Sequence, residues 1–425
     1  MHETTQRTLC RIALVAGIVI PTVLVVNWCI RLNSSAHRER IEEQFRSELG
    51  LHAKIANMRR PRGGVTVFEG VELRDVESGN LLLTCGSLRA EQRDDSLVLS
   101  ATEAVIQRSD VSRLLAALER RLQTHSAQSR PIRVMLGEVR LDSKGEILTL
   151  QQIRGEIASS QSGPQATVGF SLTGTDETTG ATFRVTRQRS ATRPTTIVQL
   201  HTGATPLPCS LLTADGNAAR TLGAACTFRG MLTVKNEQTH FAGELIEVDL
   251  SRLTQHGFPP HRLSGTARMV IESVKLQSGR LDHLGGTVQA SSGMIGRELL
   301  LAPVRALKMP AGFRVAPPED EVPYKELALR MTLDAQGLSI WGDCAGSSPG
   351  AVLIDDHGPL LWSPCQQPQS ASVVLDMLRG DGDESDLPPS SLLEIAKWLP
   401  LRPWSGVVPT DSRSPRVGQR PTHRK

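Results

Sequence analysis

Three hydrophobic patterns succeed one another along the chain. The stretch Ile12 to Ile30, IALVAGIVIPTVLVVNWCI, is apolar all round but for Asn27 near one end, its only strongly polar member. Ser35 to Leu49 then carries Ile41, Phe45 and Leu49 at four-residue spacing among Arg and Glu. From Gly63 onward apolar and polar residues alternate in short runs bounded by Gly, Asn, Asp and Ser. At about 1.5 Å per residue the first stretch covers roughly 28 Å, close to the hydrocarbon thickness of a bilayer, and it predicts a transmembrane helix over 12–32. Pro21 is tolerated inside a membrane helix and Trp28 suits the interface. A cleaved signal peptide is the alternative, with Ser34, Ser35 and Ala36 imitating a cleavage site. The apolar run is longer than the usual h-region of about 7 to 15 residues, which favours an uncleaved anchor. The second pattern predicts an amphipathic juxtamembrane helix.

The alternating region predicts strands. In GVTVFEGVELRDVESGNLLLTCGSLRAE, Val65 and Val67, then Val71 and Leu73, share a face, with breaks at Glu69-Gly70 and Ser78-Gly79-Asn80. A third strand starts at Leu97. The period then changes: Val111, Leu114, Leu115, Leu118 and Leu122 mark a helix capped by Ser109 or Asp110. From Pro131 a meander follows, in which Ile132, Val134 and Leu136 share one face and Val168, Phe170 and Leu172 another. A Pro-rich, helix-capable insert holds Cys209 and Cys226 before strands resume at Met231 and Phe241. Hairpin-like segments begin at Leu327 and Ala351.

An internal echo supports a repetitive design. Asp249-Leu-Ser-Arg-Leu repeats Asp110-Val-Ser-Arg-Leu, and the segment from Gly137 to Ser160 aligns with that from Glu272 to Ser292. Two copies of a strand, helix and strands unit favour an extended β architecture over a compact enzyme. The predicted organisation is a cytoplasmic tail 1–11, the membrane helix 12–32, a juxtamembrane helix and linker 33–62, β-rich units 63–230 and 231–380, and a tail 381–425. In the last, Ser391 and Glu394 form a capping box ahead of a short helix, between an acidic linker and a disordered basic end.

Charge changes the picture little. The net charge is +4 over 425 residues, with eight lysines among 48 basic residues and 3% aromatics, which argues against nucleic-acid binding. Arg7 and Arg11 flank one side of the anchor and Arg31, Arg38, Arg40 and Arg46 the other. That count points against export, whereas the short tail before a first apolar helix has the form of a signal anchor; we take the tail as cytoplasmic. No Walker A, GxGxxG, GxSxG or HExxH motif occurs. His256, His261 and His283 read as loop histidines rather than a metal site, Asp355-Asp356-His357-Gly358 as a hairpin turn, and no metal, cofactor or catalytic residue is assigned. Cys209 with Cys226, and Cys344 with Cys365, each close a short loop and are candidate disulfides in an oxidising space; buried thiols are the alternative.

The membrane helix, the juxtamembrane helix, the strand pattern GVTVFEGVELRDVESGNLLL, the segments at 137–160 and 272–292, and LALRMTLDAQGLSIWG from Leu327 together resemble the AsmA-like family of membrane-anchored envelope proteins, of the TamB/YhdP type. The resemblance implies a mainly β fold, an elongated curled antiparallel sheet forming a taco-like groove with short helices. It also implies an inner-membrane anchor with a periplasmic domain, and a non-enzymatic role in phospholipid transport or outer-envelope biogenesis, with phospholipid and other envelope proteins as partners. The candidate groove lining is Val65, Val67, Val71, Leu73, Val134, Leu136, Val168 and Phe170. The alternatives are a scaffold whose sheet closes on itself, and an enzyme with a site assembled across loops. About eighteen strands at roughly 4.8 Å give a groove near 90 Å.

Overall fold

The computed structural model of the protein describes residues 35–378, apart from 94, 127–128, 144–145, 162, 173–179, 190–193, 213–216, 258–260, 314–318, 346–348 and 365–367, together with Ile20, Thr22, Val23 and Leu399. The tail 1–11, the expected membrane helix 12–32 as a whole, and the acidic linker, capping box and basic end of 381–425 lie outside the described residues. Among the described residues no helix is long and apolar enough to cross a membrane.

Strand accounts for 59% of the structure, in one large sheet that curls without closing and carries a few short helices. Helix α1 (Ser35–Leu49) leads into β1 (Leu51–Arg62), β2 (Val65–Asp75), β3 (Leu81–Arg93) and β4 (Ser96–Gln107). A short 3-10 turn and helix α2 (Val111–Thr124) follow, then β5 (Ile132–Ser143), β6 (Glu146–Ser160), β7 (Gly163–Leu172), β8 (Ala181–Gln188) and β9 (Thr195–His201). The insert contributes β10 (Leu207–Pro208) and α3 (Asn217–Leu222). The second half runs β11 (Thr227–Lys235), β12 (Gln238–Asp249), α4 (Leu250–Gly257), β13 (Thr266–Gln277), β14 (Arg280–Gly296), α5 (Arg297–Ala306), β15 (Glu321–Asp334), β16 (Gly337–Gly342), β17 (Ala351–Ile354), β18 (Pro359–Trp362) and α6 (Val373–Leu378).

Successive strands pair antiparallel throughout, with β9 joined to β11 past the short β10, and with β16 and β17 sharing one edge of β15. The exception is β4 with β5, which are parallel. Helix length explains it. The fourteen residues of α2 rise about 21 Å, returning the chain towards the end where β4 began, so that Ile132 at the start of β5 pairs with Leu97 near the start of β4. The eight residues of α4 rise only about 12 Å, so β13 starts where β12 finished. Both Asp-x-Ser-Arg-Leu segments thus sit at strand-to-helix junctions, and the echoing segments downstream form the hairpins β5–β6 and β13–β14.

Four expectations are corrected. Residues 51–62 are strand β1, not linker; Leu51, Ala53 and Ile55 alternate with exposed residues, a signal masked by the Arg-Arg-Pro-Arg run behind it. The boundary at 230/231 falls inside β11, which pairs with both β9 and β12 and leaves one continuous sheet. Neither Ser109 nor Asp110 caps α2 by a side-chain hydrogen bond: Asp110 binds Arg113 at 2.6 Å instead. Asp249 does cap α4, its Oδ1 accepting from the backbone N–H groups of Ser251 and Arg252. Last, Gly70 does not end a strand. Phe68 and Val71 are both buried in one β2, although strict alternation would place them on opposite faces. The same inversion occurs between Ile55 and Met58, Cys85 and Leu88, and Leu99 and Ala104. The ladder skips Ala56, Gly70, Gly86, Thr102, Gly137 and Gln152 along one line. Gly70 and Gln152 there have positive φ, and a Cβ on Gly137 would lie 2.7 Å from the Thr102 carbonyl oxygen. This crease turns apolar residues of both parities inward. The predicted turn at Asp355 is present, its Oδ1 accepting from the N–H groups of His357 and Gly358.

Two cores result. One joins β1–β6 to α1 through Phe45, whose ring meets Phe68 edge-on at 5.4 Å. The other joins β10–β18 to α4–α6. Phe170 and Leu211 pack against both. Helix α2 lies between walls: Ala117 and Leu114 pack with Leu51 and Leu82, while Leu122 and Leu118 pack with Ala166 and Val185.

Candidate functional site

Cross-strand register reveals an apolar row running across the sheet on the face that carries both cores. It begins Ala90, Leu99, Val134, Gly155, Val168, Phe183, Leu200, each directly opposite the next on the neighbouring strand. It continues Leu232, Phe241, Val274, Leu284, Leu333, Leu338. At about 4.8 Å per step this is roughly 58 Å of unbroken apolar surface. Leu99, Leu333 and Leu338 near its ends are buried, whereas every member from Val134 to Leu284 is half-buried. From these half-buried positions Val134 and Val168 pack against the first core, and Leu200, Phe241 and Leu284 against the second.

The row opens into a cleft of about 610 Å³ between α1 and the ends of β1–β4. Ala90 and Leu99 line it, with Ile41, Phe45, Leu49, Val65, Phe68 and Leu97, and with Gln44, Glu48, Arg60, Arg62, Thr66 and Gln92 as its polar members. Mostly apolar walls with a few polar groups are the ordinary makeup of a small-ligand site, and the volume falls in the usual range. Helix α1 folds back over β1: Glu42 accepts from the Ile55 N–H at 3.0 Å, and the Arg60 guanidinium lies 2.8 Å from the His37 ring Nε2. The start of α1, next to the predicted anchor, therefore sits at the mouth of the cleft.

The proposed lining residues are placed as follows. Val71 is buried in the first core, and Leu73, Val134, Leu136, Val168 and Phe170 pack half-buried against it. Val65 is buried and lines the cleft. Val67 stands between Arg59 and Arg89 in the ladder, on the face opposite Phe68, and joins neither core. Apart from Val134 and Val168, the row's members escape the sequence reading. Their strands were legible as alternation, but which residue faces which is set by hairpin register and bulges.

Cys209 and Cys226 stand directly opposite each other, both buried, with the Cys209 N–H donating to the Cys226 carbonyl at 2.8 Å. Both are free thiols, and their sulfurs are hydrogen-bonded to each other, which pushes the Cys209 thiol up and Cys226 down. The Cys344 thiol is raised to about 11 by burial; Cys365 lies outside the described residues. Among the described residues no group of three or more His, Cys, Asp and Glu is arranged to hold a metal ion.

Two further cavities are polar. One, of about 350 Å³ beside α2, contains Asp75, Glu77, Arg113 and Arg120. Asp75 there is lowered to about 2 by the Ser78 hydroxyl, against its burial, and by Arg120. The other, of about 430 Å³ beside α4, gathers Ser251, Thr254, His261 and the Arg262–Glu321 ion pair. The Ser251 hydroxyl is donated to Asp249 at 2.6 Å, in the helix cap. No protein-family model, curated protein or solved structure matches the chain.

Proposed function

We propose that the protein is a non-enzymatic, membrane-anchored envelope protein of AsmA-like design whose curled sheet shields the acyl chains of phospholipid. In this reading the segment Ile12 to Ile30 holds it in the inner membrane with the sheet on the periplasmic side. The observation that carries it is the apolar row from Ala90 to Leu338, half-buried through its middle and opening into the cleft beside α1. A soluble domain gains nothing by leaving nine consecutive cross-strand positions half-covered, unless something apolar covers them.

The test is mass spectrometry of the full chain, extracted from membranes in mild detergent. Phospholipid is expected to accompany it at near-stoichiometric amounts. Leu232→Asp, in the middle of the row, is expected to reduce the bound lipid severalfold while the far-ultraviolet circular dichroism stays β-type. A lipid-free wild-type preparation overturns the proposal. The position of α2 between the walls favours a second reading, a scaffold with a closed core and no lipid cargo. On that reading Leu232→Asp unfolds the protein and wild type carries no lipid.

A further inference from the structure

The cleft beside α1 combines two chemistries that the row alone does not. Its floor, formed by Phe45, Val65, Phe68 and Leu99, is apolar and buried. At its mouth stand Arg60 and Arg62, both exposed, from the β1–β2 hairpin. Arg62 reaches Glu91 only at 3.7 Å, and that carboxylate is shared with Arg89 at 3.0 Å and Arg93 at 3.2 Å. Among the described residues Arg60 has no carboxylate partner, and its neighbour at 2.8 Å is the His37 ring. Burial, with the charges of Arg60 and Arg40, lowers the His37 pKa, which favours its neutral form. Glu48 is the carboxylate lining the cleft, one turn from Phe45 along α1 and far from the hairpin by helix geometry.

An apolar pocket with an under-neutralised pair of arginines at its lip is complementary to an amphiphile whose polar end is a phosphate. Guanidinium groups bind phosphate oxygens through paired N–H donors. We propose that this cleft is a headgroup-reading site, taking an anionic phospholipid with its phosphate at Arg60 and Arg62 and one acyl chain against Phe68 and Leu99, in line with the apolar row. The inference rests on the lipid-handling reading and adds selectivity to it: both kinds of lipid carry the phosphate, but the two arginines repel the ammonium of a zwitterionic headgroup, so anionic lipids enter before zwitterionic ones.

The experiment is native mass spectrometry of the full chain in detergent micelles, offered equal amounts of phosphatidylglycerol and phosphatidylcholine with the same acyl chains. Wild type is expected to retain phosphatidylglycerol with about tenfold preference, the equivalent of about 1.4 kcal/mol. The double variant Arg60→Gln with Arg62→Gln is expected to bring the ratio close to one without lowering total lipid, and Thr66→Trp, which fills the cleft, to lower both lipids. An unchanged ratio in the double variant overturns the headgroup assignment and leaves the lipid-handling reading intact. Retention of neither lipid by wild type removes the reading beneath it. Displacement of phosphatidylglycerol by millimolar inorganic phosphate alone identifies a free-phosphate site and also overturns the proposal.

Discussion

Gly70 shows how much can hang on one residue. Its φ of +61° and the Ala56 Cβ at 2.9 Å from where its own Cβ would stand make a side chain there both strained and crowded. Gly79 has a similar φ of +69° but lies in an open turn with nothing within 4 Å. Gly79→Val is therefore expected to cost about 1 to 2 kcal/mol from backbone strain alone, and Gly70→Val more, about 3 to 4 kcal/mol. Urea midpoints of the two variants check this; equal costs contradict the crease. Sequence reading took Gly70 as a break because glycine inside an alternating run is the usual turn signal. Here it inverts the pleat within an unbroken strand. The same crease explains why Val67, at even spacing from Val71, lies on the opposite face from it: period two is a local rule, and one left-handed residue resets it.

At the scale of elements, hairpins were the legible part. The strands expected from Leu97, Pro131, Met231, Leu327 and Ala351 are present, since each carries its own pattern and its own turn residues, although β11 already begins at Thr227 and β15 at Glu321. The parallel pair β4–β5 was not legible, because its cause is where α2 lies. Helix α2 was recognised from its apolar spacing, but its site between the walls depends on partners far along the chain. Arg120 ties it to the end of β2, reaching Asp75 at 2.5 Å and Glu77 at 2.7 Å. Asp75 is lowered from 3.8 to about 2 by Ser78 and by Arg120, so the ionised form is the one the fold favours. A depressed carboxylate contributes stability above its unfolded value and loses it as pH falls through the folded one. Asp75→Asn is expected to lower stability at pH 7 by about 1 to 2 kcal/mol. The difference from wild type should shrink as pH falls from about 4 towards about 2. Denaturant melts at pH 7, 4 and 2 read this out, and a difference that grows in acid contradicts the role given to the ion pair.

For the whole molecule, alternation was enough to reach a mainly β fold with few helices, whereas the curled sheet was implied only by the resemblance to AsmA-like proteins. The lining was legible only in part, because the row is a property of register among strands spread along the chain from Ala90 to Leu338. Val134 and Val168 belong to the row, yet nothing in the sequence joins them to Leu200 or Leu284. The central claim is that this row faces lipid. It is tested most directly by placing a photoreactive phenylalanine analogue at Leu200 in the full chain, and in a second protein at Met231. Met231 is exposed and adjoins Leu232 on the opposite face of β11. After irradiation in native membranes, phospholipid adducts are predicted at position 200 and not at 231. Absence of adducts at 200, or equal labelling at both positions, contradicts the account.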